Sequence, residues 1–223
     1  MGLVEEALEK GQRALSEYDS KRLLASYGIP ITPEILTTSS DEAVKAAEEL
    51  GYPVVLKGTH WELTHKTELG LVLMKLRKPD EVTEGYRTIV ERAGQRPLDG
   101  VLVQQMVSGS REFVIGLTRD VQFGPCVMFG LGGIFTEALK DITFRVAPID
   151  RAEAREMLTE IRSEALLGPF RGEPETDLEV LSDALVAIGN IGMENDGVKE
   201  IDVNPLIIAG GKPVAVDALV ILA

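Results

Sequence analysis

Apolar residues follow two different periods along this chain, and the changes between them mark most of its elements. Leu3 to Leu15 repeats apolar positions at helical spacing and predicts a helix, broken or kinked near Gly11. Tyr18 to Tyr27 predicts a second helix with Leu23, Leu24 and Tyr27 on one face, closed by Gly28 and stopped by Pro30. Ile31 to Thr37 reads as a strand. Ser39 and Glu42 have capping-box spacing ahead of a helix in which Val44, Ala47 and Leu50 recur, and Gly51 closes it. Pro53 to Lys57 and Leu71 to Leu76 are short apolar strands. Asp80 to Arg92 is a helix with Val82, Tyr86 and Ile89 inward.

Strands dominate beyond residue 100: Val101 to Val107, Glu112 to Arg119, Gly124 to Phe129, and an extended piece from Thr143 to Ala147. Gly130-Leu131-Gly132-Gly133 is a glycine-rich turn. Asp150 with Glu153 caps a helix to about Ile161, and Thr176 with Glu179 caps another to about Ile191. Glu200 to Ala209 and Pro213 to Leu222 form a hairpin around Gly210-Gly211. This order predicts an α+β protein of two lobes. The boundary is expected near residue 100, where Arg96-Pro97-Leu98-Asp99-Gly100 is turn-rich. Residues 1–100 would hold the N-terminal helices and the first lobe, and residues 101–223 the second lobe with its terminal hairpin.

Bulk properties narrow the function more than they define it. The chain has 223 residues and a formal net charge of -13, with no basic stripe, which argues against nucleic acid as a partner. Cys126 is the single cysteine, so neither a disulfide framework nor a sulfur-rich metal site is expected. The start, Met1 to Glu9, is acidic and amphipathic, unlike a signal or transit peptide. No apolar run reaches membrane-spanning length, so no membrane association is expected and the cytoplasm is the expected compartment.

In so acidic a chain the positions of individual cations carry the information. Lys57 ends an apolar strand, where it can meet a phosphate as a point charge or simply leave the sheet edge for solvent. His65 lies in a polar stretch eight residues later. Neutral imidazole is a good nucleophile, although an exposed loop histidine is also commonly inert. Lys66 follows it and could steady a phosphate; His60 has no comparable surroundings. Gly132 and Gly133 can offer backbone amides to an anion, but a tight packing turn reads the same way, and the spacing fits neither a Walker A loop nor a dinucleotide fold. Arg145 could meet the same anion or pair with Asp141. Gln104, Met106 and Val107 end a strand whose backbone could bond a purine edge. Glu112, at the start of the next, could accept from ribose hydroxyls or bind metal; a plain hairpin with polar ends is the alternative. Asn204 and Asp217 fall across the terminal hairpin and could converge on one Mg2+, with Asp202 alternating onto the face of Asn204. A polar hairpin edge would look similar.

Taken together these segments resemble a known family. Ser20-Lys21-Arg22-Leu23-Leu24, Tyr27-Gly28-Ile29-Pro30, Tyr52-Pro53-Val54-Val55-Leu56-Lys57, His65-Lys66-Thr67, Gln122-Phe123-Gly124-Pro125, Phe129 to Phe135, Phe144 to Ile149 and Asp202-Val203-Asn204-Pro205-Leu206 are similar to the β subunit of ADP-forming acetate–CoA ligase, over nearly the whole chain. That family belongs to the NDP-forming acyl-CoA synthetases. The resemblance implies an ATP-grasp fold, with ATP or ADP held between two α/β lobes, Mg2+ as cofactor, and a CoA-binding α subunit as partner in an α2β2 heterotetramer. It implies the reversible reaction acyl-CoA + ADP + phosphate = acid + CoA + ATP, in which phosphohistidine carries the phosphoryl group. His65 matches the β-subunit histidine and Lys57 the phosphate-contacting lysine. Gln104 and Glu112 match the hinge and ribose side, and Asn204 with Asp217 match the magnesium pair of the related succinyl-CoA synthetase β subunit. The family usually shows His-Lys-Ser-Asp-Ala-Gly-Gly; here Leu69 stands for a small residue and Leu71 for a glycine, so the loop after His65 bends less freely. The segment around His65 is nonetheless expected to move. Two other readings are a non-catalytic ATP-grasp nucleotide-sensing module and a succinyl-CoA synthetase β-like subunit, the latter expected to carry a further C-terminal domain.

Overall fold

The computed structural model describes residues 2–63, 66–133 and 139–223. Two compact units divide the chain. The smaller comprises residues 16–18 and 32–107; the larger comprises 1–15, 19–31 and 108–223. This differs from a boundary near residue 100, because the strand that begins there is interior to the smaller unit's sheet. The N-terminal helical residues, for their part, mostly belong with the C-terminal half.

The smaller unit is a four-stranded sheet with helices on one face. Its strands are β1 (Glu34–Thr37), β2 (Val54–Thr59), β3 (Val72–Leu76) and β4 (Gly100–Gln105), in the order β1-β4-β2-β3 and antiparallel throughout. Helices α3 (Ser40–Leu50) and α4 (Pro79–Ala93) complete it. Ser39 caps α3 by accepting from the Glu42 amide at 3.3 Å, while the Glu42 carboxylate accepts from the Thr38 amide at 2.8 Å. The reciprocal bond thus reaches one residue further back than a capping box would. Ala43, Ala46 and Ala47 of α3 and Val82 and Ile89 of α4 pack on Val54, Leu56, Val101 and Val103. Alternation along each strand therefore sends Val55, Lys57 and Thr59 of β2, and Leu102 and Gln104 of β4, to the opposite face.

The larger unit is built on β5 (Glu112–Asp120), β6 (Gly124–Leu131), β7 (Ile142–Val146), β8 (Val198–Ala209), β9 (Lys212–Ala215) and β10 (Leu219–Leu222), ordered β10-β8-β5-β6-β7 with β9 paired to β8. Residues of α1 (Leu3–Glu9), α2 (Glu17–Ser26), α5 (Arg151–Glu160) and α6 (Leu178–Glu194) share one apolar core with Phe113, Ile115, Val127, Phe129, Ile201 and Val203. The backbone of α6 comes close to β5: a Cβ on Gly192 would lie 2.3 Å from Leu117 Cδ1. Asp150 and Glu153 form the expected capping box at α5. At α6 the cap is Asp177, one residue later than the Thr176 expected, and it accepts from the Val180 amide at 3.1 Å.

Two elements depart from the sequence pattern. The first helix stops at Glu9, and Gly11 turns the chain with a φ of 71°. Ala14 and Leu15 then run beside β10, where the Leu15 amide donates to the Val220 carbonyl at 2.9 Å. Their apolar spacing is satisfied by burial at a sheet edge, which a helical wheel read from sequence does not distinguish. The terminal hairpin's second arm is two strands rather than one, because pairing with β8 lapses between Ala215 and Leu219.

Candidate functional site

Each unit gathers charged and polar side chains on the sheet face opposite its apolar core. In the smaller unit, Lys57 and Gln104 share that face by register and both are buried. The Lys57 Nζ donates to Glu17 Oε1 at 2.6 Å, and Lys66 Nζ donates to the other oxygen of the same carboxylate. The alternative for Lys57, a lysine leaving the sheet edge for solvent, is thus overturned: the strand is interior to its sheet and the ammonium is buried. Thr59 lies on the same face, and its buried hydroxyl has no hydrogen-bond partner among the described residues. An unmet buried hydroxyl suits a site that a ligand or water completes.

His65 lies outside the described residues. The segment after it is a tight turn, in which the Leu71 amide donates to the Lys66 carbonyl at 2.9 Å and Gly70 takes a φ of 67°. Leu71 is fully buried, Leu63 nearly so, and Leu69 packs against the same cluster. The leucines that depart from the family's usual small residues are therefore anchors. Met106 and Val107 are the last residues of this unit. The Met106 amide donates to the Pro53 carbonyl at 3.2 Å, which commits that donor within the protein and removes it as a purine contact.

In the larger unit, Glu112, Gly116, Thr118, Glu200 and Asp202 lie on the face opposite the core. A cleft of about 600 Å³ opens beside Glu112, Gly132, Gly133 and Arg171. Gly130 and Leu131 are still in strand β6, so the turn proper starts at Gly132. No side chain fits there: a Cβ on Gly132 would lie 2.7 Å from the Phe113 carbonyl, and one on Gly133 would lie 2.7 Å from Glu112 Oε2. Asn204 and Asp217 fall opposite each other, midway between the Asp202–Leu219 and Leu206–Ala215 pairs where the ladder lapses. Burial, helped by the negative charges of Glu200 and Asp217, pushes the Asp202 carboxyl up to about 6.

Such a concentration of negative charge suits a hard cation. Among the described residues no group of three or more His, Cys, Asp or Glu side chains could hold a metal by itself. One carboxylate and one amide oxygen, with solvent and phosphate oxygens completing the shell, nevertheless match the sparse protein ligation that Mg2+ tolerates. The residues fit the ion in that form.

Arg145 does not join this set. Its register partner is Val127, a core residue, so it faces α5 and pairs there with Glu160. Nor does it pair with Asp141, whose carboxylate accepts from the Arg162 and Ser163 amides at 2.7 and 2.8 Å. Burial works to raise the Asp141 carboxyl, and those donors outweigh it, so it titrates below the ordinary range. Its folded value is depressed, so the stability it confers is complete above the unfolded carboxylate value of about 4 and is lost as pH falls through the folded one. Asp141→Asn is expected to cost about 1–2 kcal/mol at pH 7, with the gap from wild type closing in acid, as thermal melts at several pH values will show.

Among the described residues, the buried charges of Glu17 and Arg111 went unread in the sequence. Glu17 carried no motif. Arg111 is fully buried at the start of β5 and binds the loop that follows α5. It donates to the carbonyls of Leu166, Gly168 and Pro174 at 3.1, 3.0 and 2.7 Å, to Thr176 Oγ1 at 3.3 Å and to Glu173 at 3.3 Å. This loop carries Phe170 and Arg171 to the cleft, where the Arg171 guanidinium sits 5.3 Å from the Phe170 ring centre.

Comparison with known proteins places this arrangement. Residues 6–222 match the ATP-grasp domain family. The Pyrococcus furiosus acetate–CoA ligase [ADP-forming] II subunit β is 41% identical over 99% of this chain and 96% of that protein. A solved structure of Ca. Korarchaeum cryptofilum dinucleotide forming acetyl-coenzyme A synthetase 1, with coenzyme A and Ca-AMPCP, superposes with a TM-score of 0.94. It is 42% identical and covers 99% of this chain and 98% of that one. A second structure of that enzyme contains Mg-AMPPCP and a phosphohistidine segment pointing towards the nucleotide binding site; its TM-score is 0.87, at 43% identity over 99% of this chain and 98% of that one. This chain belongs to the ATP-grasp family, among the β subunits of ADP-forming acetate–CoA ligases. Among the described residues no helix is long and apolar enough to cross a membrane.

Proposed function

We propose that this chain is the nucleotide-binding subunit of an ADP-forming acyl-CoA synthetase, working with a CoA-binding α subunit in an α2β2 assembly. Full-length similarity to such β subunits carries the reading, and the charged groups on the sheet face opposite the apolar core in each unit agree with it. In the smaller unit Lys57 and Lys66 supply cations for nucleotide phosphates, and Gln104 and Val107 serve the base. In the larger unit Glu112 accepts from ribose hydroxyls, and the Gly132–Gly133 turn, where no side chain fits, lets phosphates approach the backbone, although the Gly132 amide itself donates to the Glu112 carbonyl at 2.9 Å. Asn204 and Asp217 would hold Mg2+, which when bound offsets charge on the transferring phosphoryl group.

His65 is the phosphoryl carrier. In the direction of ATP synthesis, its N–P bond breaks as a terminal oxygen of ADP forms the new O–P bond, and the imidazole leaves with its electron pair. Little covalent work falls to the remaining residues, which act by position and charge. The test mixes the purified chain with its α partner, ADP, phosphate, Mg2+ and a panel of acyl-CoAs. ATP is expected from the mixture and not from either subunit alone; a mixture that never forms ATP from any acyl-CoA refutes the reading. Asn204→Ala and Asp217→Ala are each expected to weaken magnesium-dependent ADP binding about 10–100-fold in a calorimetric titration. Unchanged binding would take them out of the metal site.

A further inference from the structure

One carboxylate holds both of the lysines assigned to nucleotide phosphate. Glu17 is the first residue of α2, and its side chain is 1% exposed. One of its oxygens accepts from Lys57 and the other from Lys66. The two cations come from distant positions, the central strand β2 and the turn beyond His65, and Glu17 joins them inside one unit. The first turn of a helix favours a carboxylate, because the helix dipole places partial positive charge at that end. Two ammonium groups buried side by side without that anion would repel each other. Either one would give up its proton or the pair would separate.

We propose that Glu17 is a positioning residue, which keeps the Lys57 and Lys66 ammonium groups adjacent and charged so that two phosphate oxygens of ADP or ATP can be received together. The inference rests on the nucleotide role proposed above for those lysines. It opposes the simpler electrostatic expectation, in which removing an anion next to a phosphate site tightens phosphate binding. The positioning role predicts the reverse sign, since a lysine that has moved or lost its proton contributes nothing to a polyanion.

The experiment is calorimetric titration of Mg-ADP into the full chain for wild type and Glu17→Gln, with lysine-15N NMR of the same proteins. Glu17→Gln is expected to raise the Kd about tenfold or more. It should also abolish the slowly exchanging ammonium signals of Lys57 and Lys66, which Lys66→Met assigns in the wild-type spectrum. Should Glu17→Gln fail to fold, Glu17→Asp retains the charge and withdraws it by one methylene, and is expected to raise the Kd severalfold. Wild-type or tighter affinity in either folded variant, or ammonium signals that survive Glu17→Gln, overturns the proposal while leaving the function intact. A wild-type chain that binds no ADP would instead sink the nucleotide reading, and the positioning role with it.

Discussion

His65→Ala, mixed with the CoA-binding partner, forms ATP at a rate at least about three orders of magnitude below wild type, while its Kd for Mg-ADP stays within about threefold. The size follows from the role. A covalent carrier has no substitute once its nitrogen is gone, whereas positioning groups leave partial function behind when one is removed. Affinity survives because the cations and oxygen ligands assigned to the nucleotide are other side chains, those of Lys57, Lys66, Glu112, Asn204 and Asp217. Turnover is followed by coupled ATP formation and phosphoryl capture by radiolabel from ATP in the presence of the partner. Full turnover in the variant would end the carrier role. A labelled wild-type His65 would exclude the alternative of a nucleotide-sensing module, which has no need of that imidazole.

Arg111→Ala is expected to be the most destabilising single change in the larger unit. It strips donors from three carbonyls, a hydroxyl and a carboxylate at once, where the side chain is fully buried. Breaking a buried charged network of this kind costs about 3–5 kcal/mol. In a domain of this size that lowers Tm by roughly 10 °C. Arg111→Lys should recover only a minor part, because one ammonium has three donors and cannot span the planar fork that these acceptors require. Thermal melts settle the size, and proteolysis within residues 164–176 should rise in both variants. A shift of under about 2 °C would show that the loop holds itself.

The contrast between what sequence revealed and what it concealed has a physical basis. Helices α3, α4, α5 and α6 were legible because caps and glycine stops are local, and a side chain two or three residues from its amide partner leaves a short motif. Lys57, Gln104 and Asn204 were legible as candidates because alternation along a strand fixes the face a residue occupies. Arg145 was misplaced for the same reason in reverse: the face depends on which of its neighbours are core, and Thr143 to Ala147 alternates with apolar residues on both sides of the sheet. Glu17 and Arg111 were missed because their partners lie 40 to 65 positions away, a separation at which no spacing rule operates. The early stop of α1 was hidden because burial at a sheet edge and burial on a helix face select the same apolar residues.

The way the polypeptide is shared out has a consequence for any attempt to dissect it. The larger unit takes residues 1–15, 19–31 and 108–223, and Leu24 and Ile29 of its early portion are sealed within its interior. Scission between positions 107 and 108 would hand those leading residues to the wrong fragment and leave the other with an open hydrophobic wound. Separating the units would take excision of residues 32–107 and a new junction from 31 to 108, not a single cut.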